Sequence, residues 1–539
     1  MIKWKQVGIE AQALGIDNLV ESEQIGNLAA IITGYNMKDP TTKAMVMLME
    51  KASSQFNDSM EDILHFYSRS WFRRMWIVQE VAVAKEVAIQ CGYVTTDMDV
   101  LRWGLSICQI SFTLPLPGTT TKDHLSTLSK AQGMNEPLAH LVSCRHGYQR
   151  AKELGNPERK GGRLSDYLHF LNVSCPMEAT EDRDRIFGIL ALSRDVGDLG
   201  IKPDYGSTVE HVYTKTAKAI FNHGNGMKGP TLELLGLCRS LGDGVSNSLP
   251  SWVPDWRRSL RASFCETNRQ SVDPCFGAGG KKGTNPIIIQ GHVLGDNVLG
   301  LRGYIIDQVE EVGSPWEGLP PTSDLLKPNL WAEDRKEDLV KELRRRFQRP
   351  LTLIRQIEKL CDKAIARYSQ HGSSTDEIER LKDAFWRVPC GDLAIATKER
   401  FSVRATNDWK ESYYALVESC EYMNNEDVSI YTDYWAPLFA SRTEDEQKKR
   451  LESGQTYQKK ITDMRDMRPF LTKLGYVGMA PASAKEGDVV VVFIGAQVPF
   501  MLRKVDHEKY TLLGEAYCHL IMDGEVLSQQ RPVADIFLM

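Results

Sequence analysis

Residues 69–82 read RSWFRRMWIVQEVA, an apolar and aromatic stretch that contains two adjacent polar residues, Gln79 and Glu80. Successive residues of an α-helix are about 100° apart, so residues three and four positions apart share a face. One such face is formed by Phe72, Trp76, Gln79 and Val83. Apolar residues also cover the other side, which predicts a mostly buried helix with Gln79 inside its apolar stripe and Glu80 at the edge.

The two polar residues need partners if this helix is buried. An unpaired buried amide costs about 1–3 kcal/mol, and an unpaired buried carboxylate takes up a proton. Arg73 lies seven positions before Glu80 on nearly the same face and can neutralise it directly or through a neighbour. We therefore predict that the pair is a structural anchor. The alternative is that Glu80 is a catalytic acid or base, which requires a cleft and a nearby nucleophile.

Length and charge restrict the class of protein to which this chain can belong. The chain has 539 residues, of which 42% are apolar and 25% charged, which is typical of a globular protein. A chain of this length is expected to form about two to four domains. The 66 basic and 71 acidic residues give a formal net charge of -5, so no long-range positive field attracts nucleic acid or anionic lipid. No nucleic-acid partner is predicted.

The cysteines and the apolar runs indicate the compartment. The 11 cysteines are odd in number and include no C-x-x-C pair, which argues against a disulfide framework and against a zinc ribbon. We predict reduced thiols and no metal site. The start, MIKWKQVGIEAQALG, has no apolar core typical of a signal peptide, and no apolar run approaches the ~20 residues that span a bilayer. These features predict a cytoplasmic protein without a membrane span.

Periodicity and composition predict a mostly helical α+β chain. Apolar residues at three- and four-residue intervals indicate helices in the first half and again after residue 323. β-Branched residues with glycine breaks indicate strands near residue 290 and after residue 486. The predicted domains are a helical portion at 1–115, a central helical region at 116–260, a β-rich module of 284–311 plus 475–530, and a helical insertion at 323–465.

The opening stretch resembles a known family. SWFRRMWIVQE resembles the last motif block of the fungal heterokaryon-incompatibility (HET) domain, Arg-x-Trp-x-x-Gln-Glu. Four other segments resemble family signatures in the family's order: ATEDRDRIFGILAL, IKPDYGSTVEHVY, LPSWVPDW, and EGDVVVVFIGAQVPFMLRKV through GEAYCHLIMDGE. Together the matches frame the chain from about residue 60 to residue 527. The residues at the positions of the first block are Arg74, Trp76, Gln79 and Glu80.

The resemblance departs from the family at the front. Neither the Ser-Tyr-x-Trp-Gly block nor the Trp-Ile-Asp-x-x-Cys-Ile-Asn-Gln block of the HET domain occurs in residues 1–60. In the family this domain resembles the TIR fold, an α/β sheet, and some TIR domains cleave NAD with a catalytic glutamate. The resemblance implies a truncated TIR-like HET portion, a helical middle, and a small β-rich C-terminal barrel that carries the helical insertion.

The resemblance also implies a function. Proteins of this family act in allorecognition: they sense a genetically different partner after hyphal fusion and trigger programmed cell death. We expect a non-catalytic role in which the partner is another protein, with no cofactor; the sequence leaves the oligomeric state open. One alternative is an enzyme on a HET-like scaffold, through residual NAD cleavage or a cofactor-free tailoring step in fungal secondary metabolism. Another is a relative without signalling activity.

Two further groups of residues are candidate sites. Arg183 and Asp184 match the family segment in EDRDRIF and are predicted to form an interdomain clasp, with a ligand contact as the alternative. The segment LPSWVPDW has two indoles around a proline-fixed turn, which predicts a rigid aromatic strap across the core. A partner-binding surface is the alternative for this strap. Its residues are Trp252, Pro254, Asp255 and Trp256.

Other suggestive clusters are interpreted as structural. GAGGKKGT at 277–284 lacks the spacing of a phosphate-binding loop, and a flexible surface loop is predicted instead. His140, Cys144 and His146 lack a fourth metal ligand and an orienting acid, so ordinary packing is expected.

Overall fold

The structure is a computed structural model in which the chain forms two compact units. The first comprises Met1–Tyr205 with Trp256–Ser259, and the second comprises Gly206–Asp255, Leu260–Pro321 and residues from Asn329 to Met539, each over its described residues. The described residues are 2–14, 43–44, 47–49, 51–52, 65–66, 69–113, 136–153, 162–174, 177–223, 232–239, 248–261, 263–264, 275–281, 284–289, 295, 297–320, 336–370, 375–395, 402–424, 444–529 and 531–539.

The first unit is built mainly from helices. A short antiparallel hairpin, which the sequence did not predict, is formed by β1 (Ala88–Cys91) and β2 (Val94–Asp97). The α-helices are α1 (Ile2–Ala13), α2 (Met75–Val83), α3 (Met98–Thr113), α4 (Glu136–Glu153), α5 (Leu164–His169), α6 (Asp184–Phe187) and α7 (Val196–Leu199). Shorter helical turns are Ser70–Arg73, Phe170–Ser174 and Leu190–Leu192. The described part of this unit does not test the predicted TIR-like sheet, which stays a prediction.

The predicted helix of the opening stretch is divided at Arg74. The turn Ser70–Arg73 precedes it, and Arg74 itself is extended, with φ of -72° and ψ of 128°. Its backbone forms a parallel bridge with Glu178: the Met75 amide donates to the Glu178 carbonyl at 2.9 Å, and the Glu178 amide donates to the Arg73 carbonyl at 2.6 Å. Helix α2 therefore begins only at Met75.

The face of α2 that is buried differs from the predicted stripe. The buried residues are Met75, Ile77, Val78, Val81 and Ala82. Trp76 is 37% exposed, Val83 and Glu80 are exposed, and Gln79 is half-buried. The prediction of a buried Glu80 was wrong because both sides of this helix are apolar, and the extended Arg74 removes Phe72 from the helical register.

Helix α2 is held at its C-terminal end by α4. The last carbonyls of a helix lack partners within the helix. Arg145 donates to the carbonyls of Val81 and Lys85 at 2.9 Å each, and Gln149 donates to the Ala82 carbonyl at 2.8 Å. These side-chain caps fix the position of the stretch that resembles the HET motif.

The second unit contains the predicted C-terminal barrel. Its five strands follow the closed order β4 (Leu299–Val312), β13 (Ala534–Leu538), β11 (Lys509–Glu515), β10 (Phe500–Asp506) and β9 (Val489–Phe493), and β9 pairs again with β4. All of these pairings are antiparallel except β11 with β13. Closure leaves no free edge in this part of the sheet. The prediction of a small β-rich C-terminal barrel is confirmed.

Strand β4 also extends beyond the barrel. Its last residues, Val309 to Val312, pair with β7 (Met467–Thr472), which pairs with β8 (Val477–Pro481) and then β12 (Tyr517–Cys518). A two-residue strand, β3 (Ile288–Ile289), pairs with the start of β4. Two register shifts in β4, at 305–307 and 309–311, let one strand serve both sheets. Strands β7, β8 and β13 were not predicted.

The longest helix of this unit, Lys336–Gln370, packs against three other helices and against the β7–β8 arm. The helices of this unit are α8 (Val209–His223), α9 (Lys336–Gln370), α10 (Thr375–Lys382), α11 (Ala384–Arg387), α12 (Trp409–Asn424), α13 (Glu444–Thr462) and α14 (Glu525–Ser528). A 3-10 turn spans Glu233–Leu237, and a small hairpin is formed by β5 (Leu393–Ile395) and β6 (Ser402–Arg404). Helix α9 continues through Pro350. No helix that the structure describes is long and apolar enough to cross a membrane.

The glycine-rich segment after residue 276 is a packed turn in its described part. The Gly279 amide donates to the Ala496 carbonyl at 2.8 Å, and the Gly495 amide donates to the Gly279 carbonyl at 2.8 Å. Ala278 is fully buried, and a Cβ on Gly279 would lie 2.0 Å from the Phe493 carbonyl oxygen. The prediction of a flexible surface loop was therefore wrong for these residues, because the glycines permit a close backbone approach to the barrel.

Candidate functional site

The carboxylate of Asp184 joins three segments of the first unit that resemble family motifs. The indole Nε1 of Trp76 donates to Asp184 Oδ2 at 2.9 Å, and the Tyr205 hydroxyl donates to Asp184 Oδ1 at 2.7 Å. Trp76 belongs to the opening stretch, Asp184 to EDRDRIF and Tyr205 to IKPDYGSTVEHVY. We call Trp76, Arg183, Asp184 and Tyr205 the clasp cluster. Within one unit, it brings together residues that the sequence placed in separate motifs.

Arg183 completes the clasp cluster from the other side of Tyr205. Its Nε and Nη2 donate to the two carboxylate oxygens of Glu181 at 2.8 Å each, and its Nη1 donates to the Tyr205 carbonyl oxygen. Its guanidinium carbon lies 5.6 Å from the centre of the Tyr205 ring. The ring of Phe187 contacts the same tyrosine edge to face at 5.2 Å. The contacts of Arg183 and Phe187 with Tyr205 restrict the position of this tyrosine.

The charges in this cluster shift one another's pKa values. The hydrogen bond between Arg183 and Glu181 lowers the pKa of the Glu181 carboxyl and raises the pKa of the Arg183 guanidinium. The hydrogen bond to Asp184, together with burial, raises the pKa of the Tyr205 hydroxyl to about 12. The raised pKa keeps the Tyr205 hydroxyl protonated at physiological pH, in agreement with its role as the hydrogen-bond donor to Asp184.

Close packing places α6 against the start of α2. A Cβ on Gly188 would lie 2.8 Å from the Asp184 carbonyl oxygen and 3.0 Å from Met75 Cγ, so this position leaves no room for a side chain. Arg185 donates to the Met177 carbonyl at 2.7 Å and to Asp182 at 3.3 Å. These contacts fix the helical turn that carries Asp184.

Glu80, the candidate catalytic residue, lies outside the clasp cluster. Its side chain is exposed, and no hydrogen bond or ion pair reaches its carboxylate within the described part of the chain. Arg73, expected to neutralise it, instead lies 3.8 Å from Glu178. The side chain of Arg74 is exposed and its backbone makes the bridge to Glu178. A catalytic role for Glu80 and an anchoring role for the motif as a whole both stay predictions.

The residues of the aromatic strap are buried in the structure. In the second unit, Trp252 is fully buried, its Nε1 donates to the Asn297 carbonyl at 3.1 Å, and its ring lies 6.0 Å from that of Phe221. Ser251 connects the strap to the barrel, because its hydroxyl accepts the Leu512 amide at 2.9 Å. Pro254 and Asp255 of the same unit are buried, and so is Trp256, which belongs to the first unit. The strap itself thus exposes little aromatic surface to a partner.

The histidine and cysteine cluster is not assembled as a metal site. The His140 ring lies 4.6 Å from the ring of Phe170, and Cys144 is buried. His146 lies 3.3 Å from Asp99 and lowers the pKa of that carboxyl. Across the described residues, no three His, Cys, Asp or Glu side chains could hold one metal ion together.

Among the buried carboxylates of the described residues, two that the sequence analysis did not identify are Glu515 and Asp392. Glu515 accepts the Ser263 hydroxyl at 2.5 Å, and burial raises the pKa of its carboxyl. In a regular strand, Leu513 and Glu515 lie on the face of the sheet opposite to the face of Leu512. A register shift between Met501 and Leu502, in the paired strand β10, interrupts this alternation. The other, Asp392, accepts hydrogen bonds from Arg387 and Arg404. Glu515 had no local signal in the sequence, since its partner Ser263 lies 252 positions earlier in the chain.

Comparison with known proteins identifies relatives of this chain. Residues 296–539 match the family model of the Het-6 beta-barrel domain. A curated relative, heterokaryon incompatibility protein 6, OR allele, of Neurospora crassa, is 28% identical over 488 residues. The alignment covers 85% of this chain and 65% of the relative, so the chain spans less than two thirds of that protein. No solved structure matches the chain. The predicted resemblance to the HET family is confirmed.

Proposed function

We propose that this chain, a HET-family protein, acts in heterokaryon incompatibility as a non-catalytic interaction protein. In this role it senses a genetically different partner protein in the cytoplasm and triggers programmed cell death. The similarity to an incompatibility protein supports the biological setting, and the clasp cluster supports the non-catalytic role.

The observation that carries the proposal is the engagement of the motif residues with one another. Both oxygens of Asp184 accept hydrogen bonds, one from Trp76 and one from Tyr205. The guanidinium of Arg183 is occupied by Glu181 and by the Tyr205 carbonyl. A catalytic site holds its groups towards a substrate. Here the polar groups of the clasp cluster are directed at other residues of the same unit.

The exposed parts of the cluster are suited to contact with a protein. Trp76 and Tyr205 are 37% and 51% exposed, and both hydrogen-bond the same carboxylate. Tryptophan and tyrosine are enriched among the residues that dominate protein interfaces. Because Asp184 holds both side chains, their surface is pre-organised, which lowers the entropic cost of binding.

The test is growth arrest on expression in a fungal host. The unmutated chain is expected to arrest growth, and Trp76→Phe is expected to weaken the arrest because it removes the donor to Asp184. Trp71→Phe is the matched control, since Trp71 has the same exposed fraction, 37%. Glu80→Gln is expected to retain full arrest. Unimpaired growth with the unmutated protein would overturn the proposal.

One observation favours the enzymatic alternative. The Glu80 carboxylate is exposed and available to solvent, as a catalytic acid would be. If the chain is an enzyme that cleaves NAD or performs a cofactor-free tailoring step, Glu80→Gln should abolish arrest while the free energy of unfolding stays the same. NAD consumption by the purified chain distinguishes the first of these activities from the second.

A further inference from the structure

A groove in the second unit lies between helix α9 and the segment that follows β4. Its volume is about 300 Å³, which is at the small end of ligand sites. The segment is fixed by Trp316, whose amide donates to the Met467 carbonyl at 2.6 Å and whose indole donates to the Ile461 carbonyl at 2.9 Å. The lining residues are Ser314–Gly318, Arg345, Gln348, Arg349, Thr352, Leu353 and Gln356.

Two arginines one helical turn apart give the groove its charge. Arg345 is 57% exposed at its side chain, and its guanidinium lies 3.7 Å from the Glu342 carboxylate. Arg349 donates to the Gly318 carbonyl at 3.3 Å and lies 3.7 Å from Glu317, whose side chain is 78% exposed. Both ion pairs are longer than a hydrogen bond. The two guanidinium groups therefore keep donors for an incoming anion.

Neutral polar groups and an apolar wall surround these charges. Gln356 accepts the Ser314 amide at 2.7 Å through its carbonyl oxygen, which leaves its amide nitrogen as a donor. Pro315 is exposed at the wall, and Leu353 is buried beneath it. A ligand that fits this lining has one anionic group and a short apolar portion.

We propose that this groove binds an acidic peptide segment of a partner protein, with one side-chain carboxylate held by Arg345 and Arg349. A carboxylate matches the planar fork of a guanidinium. Glu317 at the rim disfavours a dianionic phosphate more strongly than a single carboxylate, because like-charge repulsion grows with ligand charge. The small volume suits a segment of about two or three residues.

This inference names the class of partner for the proposed interaction role and rests on that role for its biological setting. Its test uses the purified full chain, so it can fail while the growth assay succeeds. The growth assay can likewise fail while the binding test succeeds. If Arg345→Gln still arrests growth, the groove is not required for cell death, and the result of the binding experiment stands on its own.

The experiment measures fluorescence anisotropy of a pentapeptide, Ala-Ala-Glu-Leu-Ala, labelled at its N-terminus and amidated at its C-terminus, with the equally labelled and amidated Ala-Ala-Gln-Leu-Ala as the neutral control. Arg345→Gln is expected to weaken binding about tenfold, the size of one charge-assisted contact. Glu317→Gln is expected to tighten it, because the rim competitor for Arg349 is removed. Lys359→Gln, an exposed position further along the same helix and outside the groove, makes the same charge change and should have no effect.

Three results would overturn the proposal. The first is equal binding of the acidic and neutral peptides. The second is an equal loss on Arg345→Gln and Lys359→Gln, which would indicate a general charge effect. The third is competition by inorganic phosphate at concentrations below those of the peptide, which would assign the groove to a phosphate-bearing ligand.

Discussion

The indole nitrogen of Trp76 lies 2.9 Å from Oδ2 of Asp184, a residue 108 positions further along the chain. This bond connects the segment that resembles the HET motif with the segment that resembles the next family signature. Tyr205 bonds the other oxygen of the same carboxylate. The relationship explains why an exposed tryptophan occupies a position in a largely apolar helix: its indole is a hydrogen-bond donor as well as an apolar surface.

Packing between α6 and α2 predicts a large effect of a single methyl group. Gly188→Ala places a Cβ 2.8 Å from the Asp184 carbonyl oxygen and 3.0 Å from Met75 Cγ, so it should destabilise the fold by about 1–3 kcal/mol. Gly197→Ala is the matched control, because its Cβ would meet nothing within 4 Å. Urea unfolding measures both variants. Equal stabilities of the two would contradict the close approach of these helices.

The buried carboxylate of Asp392 predicts a strong dependence on its two arginines. Asp392 is 2% exposed and accepts from Arg387 at 2.5 Å and from Arg404 at 2.6 Å. Removing one partner of a buried ion pair costs about 3–5 kcal/mol. Asp392→Asn removes the charge, and asparagine tolerates the positive φ of 55° at this position. The free energy of unfolding should therefore fall by several kcal/mol.

Asp523→Asn is the control for that substitution. Asp523 bonds the same Arg404, but its side chain is 52% exposed. An exposed ion pair contributes less than about 1 kcal/mol. If Asp392→Asn were no more destabilising than Asp523→Asn, the buried pair would not stabilise the fold as described.

Glu515 predicts a pH dependence of stability. Burial raises the pKa of its carboxyl, against the hydrogen bond from Ser263 and the charge of Arg239, which lower it. The folded chain thus favours the protonated form, and this contribution is complete below the ordinary pKa of 4.5 and is lost as the pH rises through the pKa of the folded state. Glu515→Gln cannot ionise. Its stability relative to the unmutated chain should rise as the pH increases above 4.5 in urea titrations; a constant difference would contradict the assignment.

The barrel and the order of the family-like segments could be predicted because both rest on local patterns. VVVVFI and the alternation near Tyr510 indicate strands without knowledge of their neighbours. Strand β13 escaped prediction, since its parallel partner β11 and its antiparallel partner β4 lie elsewhere in the chain. Long-range pairing of this kind has no local signal.

Prediction of the candidate site from the sequence was limited in the same way, because its contacts join distant segments. The sequence singled out Trp76 and Asp184 separately, through two resemblances, but not the bond between them. It also assigned Glu80 to a buried edge, because the periodicity of a helix that is apolar all round does not select one face. The extended backbone at Arg74 and its bridge to Glu178 decide that face, and both depend on a segment a hundred residues away.

The most direct test of the central claim, that the motif residues form a structural clasp, is a double-mutant cycle on the free energy of unfolding. The four chains are the unmutated protein, Trp76→Phe, Asp184→Ala and the double variant, with Trp71→Phe paired with Asp184→Ala as the control cycle. We predict a coupling energy of about 1 kcal/mol between Trp76 and Asp184 and none between Trp71 and Asp184. Zero coupling between Trp76 and Asp184 would contradict the account.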